Sequence, residues 1–211
     1  MNRREFALNA TGVCLAGMAA PLWAQGGPLV EGTDFKRVAQ PVPVPEGKVD
    51  VVEFFGYWCP HCNAFEPQLD AWVKKQPAQV AFRRMAVAFN AAHEPLQRLY
   101  FAIESLGQVE ALHRKVFAAI HVQKVRLNTD AEIMEWVKAA GADASKIGDA
   151  MKSFSVATKL RQSRTLAENF KIEGVPTLGI QGRFMTSPSI AGTSERALAV
   201  ADSLIAQVRK A

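Results

Sequence analysis

Residues 49–62 read Val-Asp-Val-Val-Glu-Phe-Phe-Gly-Tyr-Trp-Cys-Pro-His-Cys, and two different periodicities meet inside them. Val49–Phe55 is a compact β-branched and aromatic run bounded by Gly47 and Gly56, which predicts a buried central strand. After Cys62 the apolar residues Phe65, Leu69, Trp72 and Val73 recur at helical spacing, which predicts a helix opening at the cysteine pair. Pro67 falls inside that helix and should kink it without ending it, because the periodicity continues beyond. Cys59 and Cys62 therefore sit where a strand turns into a helix.

Working outward, residues 25–48 are irregular, with Pro41, Pro43 and Pro45 alternating with valine, and Phe35–Val38 has room for a short edge strand. Val80–Phe89 is the next strand. The period then stays helical through one stripe of Leu96, Leu99, Tyr100, Ile103 and Leu106 and a second of Leu112, Val116, Phe117 and Ile120. Thr129 and Glu132 form a capping box ahead of Ile133, Trp136 and Val137, and Gly141 closes that helix. Ile147, Met151 and Phe154 predict a short helix, and Val156, Leu160, Ala167 and Phe170 a longer one. Two strands return at 177–181 and 183–186, followed by a last helix carrying Leu198, Ala201, Leu204, Ile205 and Val208. Early and late strands in one sheet, with the helical block beside it, give an α/β protein.

At 211 residues, 49% apolar and 21% charged, the chain is neither a disordered polymer nor a multi-span membrane protein. Residues 1–24 begin with Arg3 and Arg4, run almost uncharged from Phe6 to Trp23 and end at Ala24 before polar Gln25. They read as a cleaved export signal. Leu22 at the −3 position leaves the cut uncertain by a few residues, and the Arg3-Arg4-Glu5-Phe6 start leaves twin-arginine and general secretory routes both open. A net charge of +5 without a long basic run favours a solvated surface over nucleic-acid binding.

Of three cysteines, Cys14 leaves with the signal, so the exported chain keeps one short-range pair. A chain of this size buries a sufficient core without disulfide staples, which points the pair at redox exchange. Zinc would need four ligands, and there is no second cysteine pair; His93, His113 and His121 show no ligand spacing with the motif and read as surface or capping residues. At a helix N-terminus, unpaired N–H groups and partial positive charge stabilise a thiolate at Cys59, while Cys62 lies one turn deeper as the resolving sulfur. Pro60 and His61 occupy the two tuning positions. Glu53, inside an apolar strand, is either a costly buried carboxylate or an edge residue. Tyr57 and Trp58 are either exposed client-binding surface or core.

Three segments carry a family resemblance: Glu53-Phe54-Phe55 on the strand, Cys59-Pro60-His61-Cys62 opening the helix, and Gly174-Val175-Pro176-Thr177 before the late hairpin. With the layout above, they resemble the DsbA family of bacterial periplasmic thiol oxidants, a thioredoxin fold with an inserted all-helical domain. The resemblance implies two thioredoxin-like parts at 25–92 and 169–211 flanking a helical insertion at 93–168. It implies that Glu53 relays protons beneath the cysteines. It further implies that Pro176 is cis against the cysteines and frees the Val175 backbone to pair with substrate. The direction, a strongly oxidising couple, is likewise what the resemblance implies.

The expected function is donation of the Cys59–Cys62 disulfide to reduced or unfolded exported proteins, in the periplasm, by a monomer. No metal or organic cofactor is expected, and reoxidation falls to a membrane quinone-linked partner of the DsbB kind. The rivals are an isomerase or reductase on the same fold and a non-catalytic client-holding chaperone. Isomerases of this lineage carry a separate dimerisation domain, for which residues 25–48 are too short, and a reductant more typically shows Cys-Gly-Pro-Cys.

Overall fold

The structure, a computed structural model, describes residues 28–210; the expected signal at 1–24 lies outside the described residues. Strand β2 (Val49–Phe55) is buried at every position. It pairs in parallel with β3 (Val80–Ala86) on one side and antiparallel with β4 (Thr177–Ile180) on the other. β5 (Phe184–Thr186) and the short edge strand β1 (Lys36–Arg37) complete a sheet of order β1-β5-β4-β2-β3.

Alternation along β2 divides the core. Val49 and Val51 meet Phe65, Leu69 and Trp72 of helix α1 (Pro60–Val73), together with Leu198, Val200, Ala201 and Leu204 of the last helix. Val52 and Phe54 face the other way, into the core shared with the helical block, where the Phe54 and Phe170 ring centroids are 5.2 Å apart. Gly179 stands opposite Val52 because a Cβ there would meet Phe170 Cε1 at 2.5 Å. Pro67 lies inside α1 without ending it.

Five helices separate β3 from β4: α2 (Glu94–Ser105), α3 (Val109–His121), α4 (Asp130–Ala139), α5 (Ala144–Met151) and α6 (Phe154–Phe170). The Thr129 and Glu132 capping box opens α4 with both reciprocal bonds present, and Gly141 follows it at φ 80°, a conformation glycine adopts without steric cost. The expected short helix through Phe154 ends instead at Met151. Ser153 Oγ accepts from the Val156 N–H at 3.2 Å and starts α6, leaving Phe154 80% exposed. A 3-10 turn at Ala91–His93 and the short helix α7 (Pro188–Ala191) were not legible as periodic runs; α8 (Ser194–Lys210) closes the chain. Among the described residues no helix is long and apolar enough to cross a membrane.

Candidate active site

The C-terminal end of β2 delivers the chain to Cys59, which is the N-cap of α1 at φ −89° and ψ 117°, with Pro60 following at a position where the missing N–H costs nothing. The Cys59 N–H donates to the Gly56 carbonyl at 3.0 Å and closes the turn. Both thiols are free. Cys62 is fully buried and Cys59 keeps 4% exposure, so the outer sulfur is the one open to a partner. Pro60 and His61 are exposed beside it.

The two sulfurs titrate in opposite directions. The Cys59 thiol is held down at about 6, first by a hydrogen bond from the Cys62 thiol and then, against the upward pull of burial, by the backbone N–H groups of Cys62 and His61 and the His61 charge. Sequence reasoning placed the helix N-terminus first; the neighbouring thiol is the largest single contribution. Burial pushes the Cys62 thiol far up, reinforced by its bond to Cys59 and by the Cys59 charge.

Glu53 is fully buried, so its edge-residue reading is excluded by geometry. In the parallel register it stands directly beside Arg84 of β3. Arg84 Nε lies 3.1 Å from Glu53 Oε2, yet both Glu53 oxygens lack a hydrogen-bond donor. The guanidinium is committed elsewhere: Nη2 donates to Glu66 Oε2 at 3.0 Å and to Asp70 Oδ1 at 2.6 Å. Burial, and then the Glu66 charge, lift the Glu53 carboxyl well above the usual glutamate range, and Arg84 offsets only part of this. Burial pushes Glu66 up as well, but the bonds from His113 and Arg84 overcome it and leave Glu66 below its ordinary value. Of these two neighbouring carboxyls, then, one is shifted toward its protonated form and the other toward its ionised form.

Across from the helix, Val175–Pro176 is a cis peptide bond. Pro176 is buried, and the Cys59 sulfur lies 3.4 Å from the Val175 carbonyl, to which its thiol form can donate. Cys59, Cys62, Glu53, Val175 and Pro176 are thereby gathered around one end of the sheet.

Of the histidines expected at the surface or in caps, His93 is the N-cap residue of α2, but His113 is buried. His113 is 3% exposed, with Nδ1 2.8 Å from the Tyr57 hydroxyl and Nε2 3.1 Å from Glu66 Oε1. His121 Nε2 donates to the Tyr57 carbonyl at 2.7 Å. His93 stacks on Trp58 with ring centroids 3.9 Å apart and planes 10° from parallel. Tyr57 is core at 1% exposure, whereas Trp58 is only partly buried. A sequence signal did exist for part of this cluster: Glu66 falls on the same helix face as Cys62, Phe65 and Leu69, and a carboxylate on a buried face demands partners. Beside Trp58, against whose indole Phe89 packs edge-on at 5.5 Å, a groove of about 720 Å³ runs between the 87–91 loop and α6, past Leu160, Ala167 and Ile172.

Residues 76–196 match the family described as DSBA-like thioredoxin domain, and residues 31–97 match Thioredoxin. The chain is 41% identical over 197 residues to the thiol:disulfide interchange protein DsbA of Burkholderia cepacia, covering 92% of each chain. It is 42% identical over 172 residues to the protein of that name from Bordetella parapertussis, covering 80% of this chain and 82% of the other. Among solved structures, Pseudomonas aeruginosa DsbA superposes with a TM-score of 0.81 at 34% identity, over 85% of this chain and 94% of that one. The oxidoreductase DsbA from Xylella fastidiosa gives a TM-score of 0.81 at 29% identity, over 87% and 99%.

Proposed function

The chain belongs to the DsbA family of thiol:disulfide interchange proteins, disulfide-donating oxidoreductases that act on exported proteins, and from that premise we propose how its own residues divide the work in the periplasm. A client thiolate attacks the Cys59 sulfur of the Cys59–Cys62 disulfide, the S–S bond breaks, and Cys62 leaves. A buried thiolate is a poor leaving group, and Glu53, whose carboxyl burial shifts toward the protonated form, supplies the proton to Cys62. The client's second thiolate then attacks the client sulfur of the mixed disulfide and expels Cys59. This departure is easy because the Cys59 thiolate is the stable form at neutral pH. The client gains a disulfide, and the enzyme is left with Cys59 as the thiolate, Cys62 as the thiol, and Glu53 to recover its proton from solvent.

The observation that carries this reading is the opposed titration of the two sulfurs. Stabilising the thiolate stabilises the reduced state, so the disulfide state is the one that gives its bond away, which argues against a reductant. Extended client backbone pairs at Val175, beside Pro176, and apolar client side chains settle against Trp58 and the adjoining groove. Thiol exchange itself uses no metal or organic cofactor, and a membrane quinone-linked partner of the DsbB kind restores the disulfide. The protein works as a monomer.

The test is a pair of substitutions. Cys59→Ser abolishes oxidation of a reduced, unfolded client, and Cys62→Ser, offered a client that carries a disulfide, attacks it through Cys59 and accumulates the mixed disulfide, the displaced client sulfur leaving as a thiol. Oxidation at the wild-type rate by Cys59→Ser would end this assignment.

A further inference from the structure

One helix of the inserted block holds the loop that leads into Cys59. His113, Phe117 and His121 follow one another at four-residue spacing and line a single face of α3. All three grip Tyr57. Its hydroxyl lies 2.8 Å from His113 Nδ1, its ring meets Phe117 at 5.0 Å and 74°, and its carbonyl accepts from His121 Nε2 at 2.7 Å. Glu66 is a carboxylate and only accepts, so His113 Nε2 carries a proton toward it, and Nδ1 lies within hydrogen-bond distance of the Tyr57 hydroxyl. His113 therefore ties the loop before Cys59 to the helix after it.

We propose that His113 and His121 are positioning residues for Cys59, acting through Tyr57, so that the helical insertion sets the redox strength of the thioredoxin-like unit. Tyr57 is two residues from Cys59, and its buried hydroxyl and carbonyl have these histidines as their side-chain partners. Fixing Tyr57 at hydroxyl, ring and carbonyl fixes the turn in which the Cys59 N–H meets the Gly56 carbonyl at 3.0 Å. That turn in turn aims the Cys59 sulfur at the Cys62 thiol and the N–H groups of His61 and Cys62, the donors that favour its thiolate. Loosening Tyr57 lets the sulfur drift from these donors, and the thiolate loses its advantage. The inference rests on Cys59 being the thiol that clients attack.

The experiment measures the Cys59 thiolate titration (absorbance at 240 nm) and the equilibrium constant with glutathione in wild type, His113→Leu, His121→Leu, His113→Gln, His121→Gln and Tyr57→Phe. The leucine variants are expected to raise the Cys59 pKa by about half a unit or more, and to lower the equilibrium constant for reduction by glutathione about threefold or more. The glutamine variants keep a donor for Glu66 or for the Tyr57 carbonyl, and are expected to return most of the way to wild type. Tyr57→Phe is expected to move in the same direction as His113→Leu. If the leucine variants melt earlier but keep the wild-type pKa and equilibrium constant, α3 is merely structural and the proposal is overturned. If they fail to fold, a folded Tyr57→Phe with an unshifted Cys59 overturns it equally. A wild-type Cys59 that titrates near 9 would instead overturn the reading of Cys59 itself.

Discussion

Arg84 stands beside Glu53 across the β2–β3 pair, its Nε 3.1 Å from Glu53 Oε2, yet it donates its hydrogen bonds to Glu66 and Asp70 and leaves both Glu53 oxygens without a donor. Burial first, and then the Glu66 charge, shift the carboxyl toward its protonated form in the fold. Its folded pKa lies above the unfolded one, so the unfolded state releases this proton first as pH rises. The contribution to stability is complete below about pH 4.5 and is lost as pH climbs through the folded value. Glu53→Gln is accordingly expected to raise the unfolding free energy at pH 7 by roughly 1 kcal/mol or more, about 2–4 °C in Tm, and to bring no gain at pH 4. Thermal unfolding of the reduced proteins at both pH values checks this. A variant less stable than wild type at pH 7 would mean that Glu53 is ionised and paired.

His61 is exposed, and its charge contributes to holding the Cys59 thiol down. His61→Pro removes both the imidazole and one of the N–H donors that serve the sulfur, while proline in the first helical turn is tolerated. We expect the Cys59 pKa to rise by about one unit and the couple to become less oxidising by roughly 30 mV. A glutathione titration reads the change directly, and an unchanged or more oxidising couple would deny His61 its tuning role.

Gly56 has a steric reason to be glycine. A Cβ there would fall 2.6 Å from Trp58 Cε2, and the indole is already fixed between His93 and Phe89, with Nε1 donating to the Val87 carbonyl at 3.4 Å. Gly56→Ala must displace the ring, at an expected loss of about 1–3 kcal/mol. The accompanying readout is Trp58 fluorescence, which should change as the His93 stack opens. A spectrum and Tm identical to wild type would show that the ring moves without cost.

The sheet, the first helix and the capped helix α4 were legible because each carries its own local signal: a β-branched run between glycines, apolar residues at helical spacing, and a Thr129–Glu132 box. The boundary at Phe154 was not, because an apolar residue at the right spacing looked like core, while the Ser153 cap starts a new helix and leaves the ring in solvent. The cysteines and their flanking pair were readable as a motif. Their supporting shell was not. His113 and Tyr57 are 56 residues apart, and nothing in local spacing says that α3 packs on the loop before Cys59. Arg84 is visible as a partner of Glu53 only once the parallel register of β2 and β3 is known.

In the reduced enzyme at neutral pH, Cys59 is an anion and Cys62 a thiol. The equilibrium potential of the Cys59–Cys62 couple, measured against glutathione from pH 5 to pH 8, tests it most directly. Reduction takes up two protons below the Cys59 pKa and one above it. The potential should therefore fall by about 59 mV per pH unit at the acid end and about 30 mV per unit beyond. The break is expected near pH 6. A single line of about 59 mV per unit through pH 8 would place both sulfurs as thiols and contradict it.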